Sequence, residues 1–268
     1  MSKISDYKSA PFDLYKTSSD ASLATLVGCR FATGDGREFM LVQNGGSAIA
    51  SGKVVQGPAA QANAVGLSPA TTSTTGYSAA LGPIAGVIGG KTIQIATGAT
   101  AVLVNRFAGG YLNVVEGTGL GQTMKIESNT AASTTSAFGV VLEDAFSVAT
   151  STDSRFTFTI NPYGSKNGTD YTTDGVVVCP TTITGVILGV NIYPLPASTA
   201  TVLSYGFIQT KGLCAVSAGA TVALGLDVGV PDDTAGQVLT YAVATGSRIG
   251  TVVVASADAK HNMINLQL

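Results

Sequence analysis

His261 is the only histidine of this chain and stands in DAKHNMINLQL, close to Asp258 and Lys260. A Ser-His-Asp system needs nucleophile, base and orienting carboxylate within hydrogen-bond reach, whatever their order in sequence. Serines are plentiful, but no G-x-S-x-G elbow occurs and strands do not alternate with helices. His261 therefore reads as a turn or surface residue. The run GTGLG at Gly117–Gly121 has the glycine content of a phosphate loop. A dinucleotide fingerprint, however, needs a helix after the loop, its N-terminus facing the phosphate. QTMKIES follows instead and alternates like a strand, so the glycines read as a hairpin turn.

Two carboxylate pairs, Glu143-Asp144 and Asp232-Asp233, would suit glycoside hydrolysis on a β scaffold. Each ends an apolar run, where Asp and Glu ordinarily serve turns. Asp232-Asp233 follows Pro231 in a metal-friendly loop but lacks the spacing of a calcium loop. Cys29, Cys179 and Cys214 are far apart and form no C-x-x-C, so they read as small buried hydrophobes, with a bridge between one pair left open. Aromatic residues make up 7% of the chain and none is Trp, which gives little material for stacking sugars. No catalytic residue, cofactor or metal ligand is expected, and an enzyme is disfavoured.

Composition points to a surface that works through contact. Only 11% of the 268 residues are charged, against roughly 25% in an average globular domain. A soluble monomer normally carries a mixed, charged exterior, so much of this exterior is expected to be covered by protein. The net charge is −2 and no two cationic residues are adjacent, which disfavours nucleic acid as a partner. No apolar run has the ~20 residues of a membrane-spanning helix. The opening MSKISDYKSAPFDLYKTSSD lacks the layout of a signal peptide, and synthesis in a host cytoplasm is expected.

Along the chain, strand-and-turn grammar dominates. Residues 1–35 read as an arm with irregularly spaced aromatics, Asp20-Ala-Ser-Leu offering the start of a short helix through Leu26. REFMLVQ and SAIASGKVVQG flank Asn44-Gly45-Gly46, a strong hairpin signal because a type I′ turn needs positive φ at both central residues. Residues 58–90 read as a long, small, uncharged loop, either a lateral contact arm or a solvated surface. KTIQIAT, AVLVNRF, GGYLNVV, QTMKIES, FGVVLEDAF and SRFTFTI follow as strands. In the last of these Phe156, Phe158 and Ile160 fall on one face. The polar stretch 164–175 is the expected domain boundary, and VVVCP, ITGVILGV and the strands of the closing third complete about a dozen. The expected fold is all-β: an extended N-terminal arm (1–35), a β-rich sandwich- or barrel-like domain (36–163), a linker (164–175), and a small C-terminal β-barrel or sandwich (176–268).

The closing third, GFIQTKGLCAV, SAGATVALGLDVGV and GSRIGTVVVASADAKHNMINLQL, resembles the β modules of tailed-bacteriophage capsid decoration (cement) proteins. DGREFMLVQNGGSAIASGKVV and AGGYLNVVEGTGLGQTMKIESN are similar to segments of phage structural proteins. This resemblance implies a virion protein without an active site. It would bind the outside of the assembled head, contact the major capsid protein and its own copies as a dimer or trimer, and stabilise the shell. On that reading the expected contact residues are Tyr7, Phe12 and Tyr15 of the arm and Tyr77 of the long loop. No membrane or nucleic-acid partner is expected. A tail-tube, fibre or baseplate component is the nearest alternative. A carbohydrate-binding or hydrolytic β protein at the host surface is the alternative of another class.

Overall fold

Period-two alternation decides most of the backbone. In HNMINLQ every second side chain is buried, Asn262, Ile264 and Leu266 pointing inward and Met263 and Asn265 outward. The computed structural model describes residues 13–58, 67–71, 73–78, 80, 82–164, 174–230, 234–241, 246–255 and 260–268. The named elements among these are antiparallel strands and a short 3₁₀ helix, Ala21–Leu26, capped where the Asp20 Oδ1 accepts from the Ser22 N–H at 2.9 Å. The fold is all-β, with curled sheets forming a half-barrel and a second, separate sheet.

The chain divides into two compact units, and the division differs from the expected one. The first unit holds residues 13–58, 162–164 and 174 onward; the second is residues 67–161, inserted into it. In the first unit lie β1 (Arg30–Ala32), β2 (Glu38–Gln43) and β3 (Val54–Gln56) from the N-terminal part. They share one sheet with β9 (Val177–Val178), β10 (Ile187–Asn191), β11 (Tyr205–Ser217), β12 (Asp227–Val230), β13 (Leu239–Thr240), β14 (Ser247–Val254) and β15 (His261–Gln267). β2 pairs with β11 from Tyr205↔Gln43 to Lys211↔Glu38, and β3 pairs with β10 and β9. REFMLVQ and KVV therefore belong with the closing third, because their apolar positions complete its core.

Asn44-Gly45 does not form the expected hairpin. β2 and β3 are not paired, and neither residue has positive φ. The Asn44 side chain is instead spent inside, its Nδ2 donating to the carbonyls of Ser47 (2.8 Å) and Pro196 (2.7 Å). The Gly45 N–H donates to the Val176 carbonyl at 3.0 Å.

The large sheet curls until its ends meet. The Gly236 N–H donates to the Cys179 carbonyl (2.8 Å), its carbonyl accepts from Val54 (2.9 Å), and the Val238 N–H donates to Ser217 (3.0 Å). Inside lie Val54, Val190, Val216, Val228, Ile249, Val252, Ile264 and Leu266, together with Cys179 and Cys214. A second cluster, Leu23, Phe31, Phe39, Leu41, Tyr205 and Phe207, packs under the 3₁₀ helix. The segment expected as an arm is thus, from Asp13 onward, bonded to the body: Ser18 exchanges two backbone hydrogen bonds with Tyr205 at 3.0 and 2.8 Å.

The inserted unit runs β4 (Thr92–Ala96), β5 (Tyr111–Glu116), β6 (Thr123–Asn129), β7 (Ala137–Leu142) and β8 (Arg155–Phe158) in the order β4-β7-β6-β5-β8. Leu67 bonds Phe156 in both directions at 2.9 Å, and Ala70 donates to the Gln94 carbonyl at 2.9 Å. Residues 67–70, expected as loop, therefore bridge the two edge strands and close a small barrel. Its centre is aromatic, with Phe107, Phe138 and Phe158 rings 4.9–6.0 Å apart. AVLVNRF is a turn rather than a strand. Asn105 sits at φ 55°, and the buried Asn129 side chain accepts from the Phe107 N–H (2.9 Å) and donates to the Leu103 carbonyl (2.9 Å).

Closure of the large sheet makes one glycine position demanding. Gly236 has φ +70°, and a Cβ there would lie 2.6 Å from Val178 Cγ1. Gly34 has open space around its Cβ position. Thermal and denaturant unfolding should show Gly236→Val losing about 2–3 kcal/mol. Gly34→Ala should stay within about 0.5 kcal/mol of the parent.

Candidate functional site

The described residues among those that first suggested chemistry are occupied structurally. His261 opens β15 opposite Ser217, and its ring fills the space over Gly52, where a Cβ would lie 2.6 Å from Nε2. Asp258, Asp232 and Asp233 lie outside the described residues. Glu143 is tied to Lys125 at 2.8 Å, and its carbonyl accepts from Lys91 Nζ at 2.7 Å. That hydrogen bond to Glu143 raises the Lys125 pKa. The Asp144 carboxylate accepts from the Lys125 N–H at 3.4 Å. Gly117, Gly119 and Gly121 have φ of 75°, 86° and 90° and form the β5–β6 turn, with no helix after it. Among the described residues no group of three His, Cys, Asp or Glu side chains could hold a metal ion.

Of the expected contact residues, Tyr7 and Phe12 lie outside the described residues. Tyr15 is held by a small polar clamp in the β1–β2 turn. Its hydroxyl accepts from Arg37 Nη1 at 3.0 Å, Arg37 Nε donates to Asp35 at 2.7 Å, and the guanidinium lies 5.5 Å over the Phe39 ring. The Thr33 hydroxyl bonds the Asp35 carboxylate as well. Thr33 and Arg37 together hold the Asp35 pKa down to about 2. The Tyr15 ring remains about half exposed.

Tyr77 is half-buried in a loop that is stitched down. Its N–H donates to the Thr74 carbonyl at 3.1 Å, and the buried Gln94 side chain donates to Ser78 at 2.8 Å. Tyr15 and Tyr77 belong to different compact units.

Two features that the sequence reading missed are exposed aliphatic surfaces. At one end of the inserted barrel Ile88 (71% exposed), Leu120 (66%), Val87 and Val148 stand on adjoining turns. Gly86 and Thr150 join two of these turns, the Thr150 N–H donating to the Gly86 carbonyl at 2.8 Å. The Gln122 side chain joins the third, donating to the Val148 carbonyl (2.9 Å) and accepting from the Val148 N–H (3.0 Å). Isolated exposed aliphatics are ordinary, whereas these four stand on three turns that are bonded to one another. The second surface is the outer face of β11, β15 and β14. The only sequence signal for the tip was apolar residues inside glycine-rich turns, which alone reads as turn filler.

The inserted unit also carries a shallow groove of about 550 Å³ lined by Thr92, Val104, Asn105, Ser128, Thr130 and Val141 among others. None of its lining residues among the described ones is aromatic. No helix among the described residues is long and apolar enough to cross a membrane. Comparison with known proteins gave no match to a family model, a curated protein or a solved structure.

Two measurements check this geometry. The three cysteines are free; Cys29 is partly exposed, while burial pushes the Cys179 and Cys214 thiols up to about 11 and about 12. At mildly alkaline pH an alkylating reagent should label Cys29 alone, the other two reacting only after unfolding. Asp35 has a folded pKa below its unfolded value, so its contribution is present above about pH 4 and is lost as pH falls through about 2. Carboxyl NMR titration should place its midpoint near 2, and Thr33→Val should move it upward.

Proposed function

We propose that this chain is a virion structural protein, a capsid decoration protein that binds the outside of an assembled phage head and stabilises it. The observation that carries the reading is an all-β chain with 11% charged residues whose exposed aliphatics are gathered on rigid surfaces. The likeness of its closing third to phage decoration modules supports it. The major capsid protein and further copies of this chain are the partners.

The mechanism is mass action. A protein that binds the assembled shell and not its separated subunits stabilises the shell by RT ln(1 + [L]/Kd), about 2.7 kcal/mol per site at a concentration 100-fold above Kd. Ile88, Leu120 and Val148 suit the shell contact, because turns locked by glycines and by Gln122 lose little entropy on docking. The arm aromatics Tyr7 and Phe12 would add to it. For deletion experiments residues 1–12 are the part to remove, since Tyr15 and Ser18 are bonded to the body.

The protein should co-purify with intact particles at a copy number comparable to the shell subunit, and heads stripped of it should disassemble at lower temperature. Ile88→Asp should reduce occupancy at least ~10-fold by burying a carboxylate in the contact, without changing the unfolding temperature of the free protein. Deletion of residues 1–12 should also weaken attachment. Absence from purified heads, or its presence only in tails, would refute the reading.

A further inference from the structure

We infer that the outer face of the β11–β15–β14 ladder is the surface on which a second copy of this chain docks. The inference rests on the assembly reading above for its choice of a like partner, and on the register for its place. Inward positions on these strands already fill the half-barrel: Cys214 and Val216 on β11, Ile264 and Leu266 on β15, Val252 on β14. Alternation then sets Leu213, Ala215 and Met263 outward. The ladder places Ala215 opposite Met263, Met263 opposite Val254, and Leu213 opposite Asn265, one step along on the same face. Val253 is also exposed, beside the bulge between Val252 and Val254. Leu226 extends the patch, since its carbonyl accepts from the Val252 N–H at 2.9 Å. Leu213 is 52% exposed, Val254 55% and Met263 42%.

Nothing in the fold of one copy requires large apolar side chains here, because the other face supplies the core. Such residues gathered over neighbouring strands amount to several hundred Å², the scale of the largest apolar patch on a typical monomer. With the polar neighbours Asn265, Gln267 and Thr251 the face approaches the ~800 Å² that each partner commits to a standard interface.

Two of the charges at its margin are already engaged, Arg248 being paired with Asp227 at 2.8 Å and Lys211 lying 3.5 Å from Glu38. Engaged charges are poorer handles for selecting an unlike protein or an anionic membrane. A two-fold axis, by contrast, matches the face to itself automatically, apolar row against apolar row. Two antiparallel faces stack at about 10 Å in the manner of a β-sandwich.

Sedimentation velocity of the full chain over a wide concentration range tests this. The expected result is a concentration-dependent dimer or higher assembly, which Met263→Lys weakens roughly 100-fold or more by setting like charges face to face. Val254→Lys is the second variant, and thermal melting of both should match the parent because the positions are exposed. Ile88→Asp should leave the association unchanged. A monomer at every concentration, or unaltered association in both lysine variants, overturns the inference. So does monomeric binding to neutral or anionic phospholipid vesicles that Met263→Lys abolishes. Loss of particle attachment with self-association intact would instead count against the decoration reading alone.

Discussion

The thirteen-residue strand Tyr205–Ser217 is the element on which the rest of the first unit depends. Its first half lies between β2 and β10, and its second half pairs with β15. A strand this long cannot follow one partner around a curled sheet without breaking register. The break falls between Gln209 and Lys211, followed by Gly212 at φ +87°, where a Cβ would meet Arg37. The backbone carbonyls around this bend are not abandoned. The buried Gln209 side chain donates to the Lys211 carbonyl at 2.9 Å and to the Leu213 carbonyl at 2.8 Å. Three apolar clusters then share the strand, with Tyr205 and Phe207 in one, Ile208 in another, and Cys214 and Val216 in the third. Buried backbone groups must be paired, and this single strand is where that requirement and side-chain packing are met together.

The same requirement explains how each sheet ends. An exposed edge strand is a template for unwanted pairing. In the first unit the stretch around Gly236 and Val238 bonds to β3, β9 and the end of β11. In the second, residues 67–70 bond to both β8 and β4. Closure also makes the insertion tolerable. The chain leaves the first unit after β3 and is back in it at Pro162, whose carbonyl oxygen lies 2.8 Å from the Cβ position of Gly57. An insertion whose ends are already adjacent adds little closure entropy to the host fold.

A chain with few charges has few means of choosing partners by electrostatics. What it has instead is position: aliphatic side chains on three turns tied together by Gln122 and Thr150, and a second set on a sheet face. The charges that exist are largely engaged locally, as in Arg37 between Tyr15 and Asp35 or Lys125 with Glu143. Such an exterior suits permanent neighbours better than transient encounters, which agrees with the proposed attachment to an assembled shell.

The strand class of the chain was legible from sequence because alternation is local. RFTF states which face is buried without reference to any partner, and the Gly117–Gly121 turn declares its positive φ through glycine. The readings that failed depended on partners distant in the chain. Asn44-Gly45 looked like a hairpin turn until its side chain met the carbonyls near Pro196. AVLVNRF looked like a strand until Asn129 held it as a turn. The expected boundary between residues 164 and 175 missed that β2 and β3 complete the core of the closing third. The polar, featureless residues 67–70 showed no sign that they close a barrel, since a stave between two edges needs backbone hydrogen bonds more than it needs a pattern. Composition by itself determined that the protein is charge-poor, and local alternation that its body is all-β. Only the tertiary structure decided where the surplus apolar side chains come to the surface, because facing and closure are set by long-range pairing, which one strand's sequence does not contain.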